Sequence, residues 1–216
     1  MRTVETHMNS ESARGYRPCI IIPGIGQSRV IETDENGEKI RNLWPFDPDI
    51  DALVKSVAPS AARMMLLRRD CGFTAALDRA VRTMLEPLSC TPDSMRKVRA
   101  EVVGYYRPVG ECTADEKRYI YKMVPLNALA DIIGEENLYF FAYDIFGMAD
   151  ENARLLREFI AMVKEQRQCE KVDLIPVSMG ATVAEMYFEL YGADQDVKRV
   201  IGVVPAYDGS GIAPDL

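Results

Sequence analysis

The sequence predicts an α/β fold, a mostly parallel sheet flanked by helices, on three observations. Pro18-Cys19-Ile20-Ile21-Ile22 is a continuous apolar run, the pattern of a strand buried on both faces. Residues 137–204 alternate strand-like and helix-like patterns over short links, which is how right-handed βαβ units are written. Within them, Val172–Val177 passes directly through Ser178-Met179-Gly180 into a helical pattern, leaving no room for a loop.

The elements follow in chain order. Residues 1–17 are polar and mixed in charge, a disordered leader. The first apolar run breaks at Pro23-Gly24-Ile25-Gly26-Gln27-Ser28. Arg29–Thr33 and Glu38–Asn42 are β-type runs around Asn36-Gly37, the signature of a hairpin closed by a type I′ turn. Asp49–Val57, Pro59–Arg69 and Thr74–Leu88 predict three helices, the last with Leu77, Val81, Met84 and Leu88 on one face. Val98–Val109 and Lys117–Met123 alternate apolar and aromatic residues and predict a short hairpin around Gly110. The core pattern resumes with a strand over Asn137–Tyr143 and a helix capped by Asp150 that runs to about Cys169. A strand at Val172–Val177, a helix at Ala181–Tyr191 stopped by Gly192, and a strand at Lys198–Val204 complete the pattern. The expected organisation is a leader (1–17), a core (18–44 and 132–216) and a helical cap or lid insert (45–131) too long for a plain loop.

Composition bounds the function. With 216 residues, 48% of them hydrophobic, the chain can bury one sizeable core. A net charge of −7 argues against a nucleic-acid partner. Residues 63–118 are locally basic, with 11 Lys/Arg against 8 Asp/Glu. That reads first as a solvated helical surface, with peripheral contact to anionic headgroups as the alternative. Cys19, Cys71, Cys90, Cys112 and Cys169 include no C-x-x-C pair, so neither a metal site nor a redox motif is expected, and no cofactor. No apolar run reaches the length of a membrane span, and the first 17 residues lack the apolar stretch of a signal peptide. A reduced, cytoplasmic setting is the expectation.

Ser178 carries the chemistry. A serine on a sharp strand-to-helix turn stands out of the sheet above unpaired helix N–H groups, a setting suited to a nucleophile. The Gly24-Ile25-Gly26 loop ends the first strand at the same edge of the sheet, where open α/β sheets place their sites. The amides of Ile25 and Met179 are therefore expected to form an oxyanion hole, with Gly24 and Gly26 giving the loop its freedom. Plainer readings exist: Ser178 as an N-cap, and the Gly24 loop as a phosphate cradle, although P-G-I-G-Q-S lacks both the third glycine and the lysine of the nucleotide motifs.

Ile20-Ile21-Ile22-Pro23-Gly24-Ile25-Gly26-Gln27-Ser28, Leu43-Trp44-Pro45, Phe141-Ala142-Tyr143-Asp144, Val172 through Gly180 and Val204 through Ser210 together resemble the α/β-hydrolases, in their lecithin:cholesterol acyltransferase-like and lipase-type branch. The likeness covers the core well and the 45–131 insert poorly. It implies a partial α/β-hydrolase core under a cap, and an acyl-enzyme formed at Ser178 from a lipid or other carboxylic ester. Two departures stand out: Pro176 and Val177 occupy the glycine and histidine positions of the family's G-H-S-x-G turn. The one histidine, His7, sits in the leader. Asp208 is the one candidate acid after the last strand. Set against the family pattern, the sequence reads as an N-terminal portion truncated before the acid and the histidine. The expectation is a hydrolase or acyltransferase with impaired activity, or else a non-catalytic lipid- or partner-binding module. An uncovered last strand would also favour edge-to-edge self-association.

Overall fold

The computed structural model describes residues 15–45, 49–89, 91 and 96–207. They fall into two compact units, one formed by residues up to Arg29 together with those from Val102 onward, the other by Val30–Glu101.

The first unit is built on a four-stranded parallel sheet in the order β5-β1-β6-β7, with β1 at Cys19–Ile22, β5 at Leu138–Phe140, β6 at Val172–Pro176 and β7 at Val197–Val200. Its registers pair Ile20 with Tyr139 on one side and with Leu174 on the other. The strand alternation sorts the apolar run of β1 to both faces. Ile20 and Ile22 pack with Tyr139, Leu174 and the inner faces of α5 (Ala149–Arg167) and α6 (Gly180–Tyr191), which supply Leu156, Phe159, Ile160, Val183 and Tyr187. Cys19 and Ile21 pack on the opposite face with Phe140, Ile175, Tyr105 and Val109, and with Ile120 of α3 (Ala114–Met123) and Ile133 of α4 (Asn127–Ile133). The three isoleucines of β1 are fully buried, and each contributes roughly 1.5–3 kcal/mol from burial.

Two expectations are corrected in this unit. Lys117–Met123 is helical, not a strand: Thr113 opens α3 with a capping box, its hydroxyl accepting from Glu116 N while Glu116 accepts from Thr113 N. The helix puts Ile120 into the core, and α3 and α4 cover one face of the sheet within this unit. Asp150 is not the cap of α5. Met148 is, and Asp150 and Glu151 lie in the first turn, where carboxylates favour the helix N-terminus.

The second unit holds a three-stranded sheet, β3-β2-β4, with β2 at Val30–Thr33, β3 at Lys39–Trp44 and β4 at Ala100–Val102. The β2–β3 hairpin forms as expected, antiparallel, but its turn differs. Gly37 alone takes a positive φ, of 82°, and the Asp34 carboxylate accepts from the amides of Asn36 and Glu38. An Asx-stabilised turn from Asp34 therefore replaces the type I′ turn. The two helices expected over 49–69 are one, α1 (Ile50–Leu67), capped by Asp49 accepting from Ala52 N and running through Pro59. It is followed by α2 (Phe73–Leu85). A cavity of about 520 Å³ lies wholly inside this unit, lined by Leu43, Leu53, Ala80, Met84 and Arg79 among others. Among the described residues, no helix is long and apolar enough to cross a membrane.

Candidate active site

The turn between β6 and α6 is strained. Ser178 adopts φ +49°, a left-handed conformation that L-residues with a side chain seldom take. Its amide donates to Val203 O at 3.0 Å, and its carbonyl accepts from Ala181 N at 3.0 Å and Ala206 N at 3.1 Å. The chain after β7 thus braces the serine, and it carries strain of its own, since Val204 sits at φ +43° while 78% exposed. Gly180 is required by contact: a Cβ there would lie 2.2 Å from Ile22 O, so only glycine lets α6 start this close to β1.

Pro176 fits the turn because of the sheet's alternation. Asp173 N and Val177 N donate to Pro18 O and Ile22 O on the β1 side, whereas Ser178 N donates towards Val203. The missing N–H of Pro176 therefore faces the outer β7 pairing, where its carbonyl still accepts from Val203 N at 2.9 Å.

The loop after β1 meets the same point. A Cβ on Gly24 would lie 2.9 Å from Ser178 Cβ and 3.2 Å from Val177 O, so the loop backbone rests directly against the serine. Gln27 N donates to Gly24 O at 3.2 Å, and Gly26 takes φ +81°, the glycine-requiring position of a type II turn. The amides of Ile25 and Met179 make no hydrogen bond among the described residues, whereas those of Gly24, Ser178 and Gly180 are all engaged. Each free amide adjoins one member of the Gly24–Ser178 contact.

Sequence reasoning did not single out the residues that hold this loop. Gln27 Oε1 accepts from Gly24 N at 2.6 Å, and its Nε2 donates to Met123 O at the end of α3, also at 2.6 Å. Tyr143, just past β5, donates from its phenol to Pro23 O at 2.8 Å, and its amide donates to Ser28 Oγ at 3.1 Å. Burial pushes the Tyr143 phenol well above its usual range, so it stays a donor. Arg29 lies over the Tyr119 ring of α3, 4.3 Å from its centroid. The sequence shows only that two polar residues, Gln27 and Ser28, close the loop after an apolar strand; their partners on α3 and past β5 are long-range.

The Gly24 loop leads into β2 and not into a helix N-terminus, so it lacks the helix-dipole element of the nucleotide-binding phosphate cradles. His7 and Asp208 lie outside the described residues, among which there is no histidine. No group of three or more His, Cys, Asp or Glu among the described residues is placed to hold a metal ion. No family model matches the chain, and no curated protein matches its sequence.

Proposed function

We propose that the chain is a serine hydrolase or acyltransferase of the α/β-hydrolase type, with Ser178 as the nucleophile towards a lipid or other carboxylic ester. The observation that carries this reading is the positive φ of Ser178 on a β6–α6 turn against which the Gly24 backbone is packed. An N-cap serine needs no such strain, because N-cap residues ordinarily keep β-region dihedrals. In the proposed step the Ser178 hydroxyl attacks the ester carbonyl, its proton passes to a base, and the Ile25 and Met179 amides hold the oxyanion. The base returns that proton to the departing alkoxide as its C–O bond breaks, and water or a second alcohol, deprotonated in turn by the base, resolves the acyl-enzyme.

The second reading, a non-catalytic binding module of the same fold, is favoured by one observation: no imidazole lies among the described residues. Loss of a triad member leaves residual turnover from the oxyanion hole and binding alone. The two readings part on p-nitrophenyl butyrate turnover with and without added imidazole as a surrogate base. The catalytic reading predicts an imidazole-dependent rate above that of imidazole without protein, an excess that disappears in Ser178→Ala. Equal rates for wild type and Ser178→Ala at every imidazole concentration would favour the binding module.

A further inference from the structure

The hairpin of α1 and α2 closes on itself through one stripe from each helix. Leu53, Val57, Ala61 and Met64 on α1 are half-buried, as are Phe73, Ala76, Ala80 and Met84 on α2. The end of α1 does not follow this pattern. Met65, Leu66 and Leu67 are 76%, 82% and 52% exposed. Successive helical residues are turned about 100° from one another, so these three sweep most of the helix circumference. No single packing partner on one side would cover them.

Charge surrounds this apolar end. Arg63, Arg68 and Arg69 are all exposed, and none makes an ion pair among the described residues. The one acid within residues 63–73, Asp70, is committed to the backbone, accepting from Phe73 N at 2.7 Å at the start of α2. Residues 63–73 thus carry three cations and one anion in a chain whose net charge is −7. Arginines at a helix C-terminus complement its dipole, but that leaves three adjacent exposed apolar residues unexplained.

We propose that the α1–α2 tip is a shallow membrane anchor for anionic lipid surfaces. Met65, Leu66 and Leu67 would enter the headgroup–acyl boundary, and Arg63, Arg68 and Arg69 would extend along it to meet lipid phosphates and carboxylates. No described helix can span a bilayer, so the contact is one of surface insertion. Charge complementarity selects the occupant: a net-acidic chain approaches an anionic bilayer through a cationic patch, and the apolar residues inside the patch suit acyl chains. This inference is independent of the role of Ser178.

The test is flotation of the full chain with vesicles of phosphatidylcholine alone or mixed with phosphatidylserine. Wild type is expected to float with the anionic vesicles, and to bind the zwitterionic ones several-fold more weakly. Met65→Asp/Leu66→Asp and Arg63→Glu/Arg69→Glu should each weaken anionic binding by about tenfold or more. Their circular dichroism and thermal midpoints should be unchanged, since all four side chains are exposed. Absence of vesicle binding, equal binding to both compositions, or either double variant binding like wild type would overturn the proposal. So would a concentration-dependent dimer, lost in Met65→Asp/Leu66→Asp, from a protein that ignores vesicles.

Discussion

Gly24 and Ser178 are in backbone-to-side-chain contact across the carboxyl end of the sheet: a methyl group on the glycine would lie 2.9 Å from Ser178 Cβ. Carbon atoms do not pack that closely, so Gly24→Ala must move either the loop or the turn. A displacement approaching 1 Å at a reacting group costs up to about 100-fold in rate. Gly24→Ala is therefore expected to slow the proposed acylation of Ser178 at least about tenfold, with a stability loss within about 3 kcal/mol. Urea unfolding alongside imidazole-dependent ester turnover separates the two effects. Unchanged turnover would remove the loop from the site.

Strain at Ser178 makes its own prediction. The left-handed conformation costs a residue with a Cβ roughly 1–2 kcal/mol that glycine does not incur. Ser178→Gly should thus be more stable than Ser178→Ala by about 1 kcal/mol or more, while both lose the proposed nucleophile. Urea midpoints compared at constant m-value supply the test. Identical midpoints would mean that the turn stores no strain.

Gln27 joins the Gly24 amide to the Met123 carbonyl through two hydrogen bonds of 2.6 Å. Each such bond contributes about 1 kcal/mol net, and leaving a partner buried and unpaired costs more. Gln27→Ala should lower stability by about 1–3 kcal/mol and increase hydrogen exchange at Gly24 and Ile25. Exchange confined to the end of α3, with the loop unaffected, would show that Gln27 does not hold the loop.

Acid should weaken the contact between α3 and the turn before β5. Glu135 accepts from Lys117 Nζ at 2.5 Å and from Tyr121 Oη at 2.6 Å, and these bonds hold its carboxyl below the ordinary value of 4.5. The folded value is depressed, so the contribution is fully present above the ordinary value and fades as pH falls through the lower folded one. The pair is partly exposed, and Glu135→Gln should cost no more than about 1 kcal/mol at neutral pH. Stability curves of wild type and Glu135→Gln should converge below pH 4.5. A constant gap down to strongly acid pH would contradict this.

Elements governed by burial were legible in the sequence. β1 is apolar throughout because Cys19 and Ile21 enter one core while Ile20 and Ile22 enter the other. The strand-to-helix turn at Ser178 was legible because Gly180 must be small where α6 meets Ile22 O. Residues 117–123 read as a strand because Tyr119, Tyr121 and Met123 alternate like one. The decisive signal was local: the Thr113–Glu116 capping box fixes a helix start, and Ile120 then turns inward. Pro59 likewise suggested a break that α1 does not make. The bonds that tie the Gly24 loop down, Gln27 Nε2 to Met123 O and Tyr143 Oη to Pro23 O, join residues 96 and 120 positions apart, and no local pattern encodes such partners.

The most direct measurement is covalent labelling of the folded chain by a fluorophosphonate, with the adduct located by peptide mass spectrometry in the presence of imidazole. A single modified serine, Ser178, is expected, with labelling abolished in Ser178→Ala and slowed in Gly24→Ala. An unmodified Ser178 in a protein that still unfolds cooperatively, or equal labelling of exposed serines elsewhere, would contradict it.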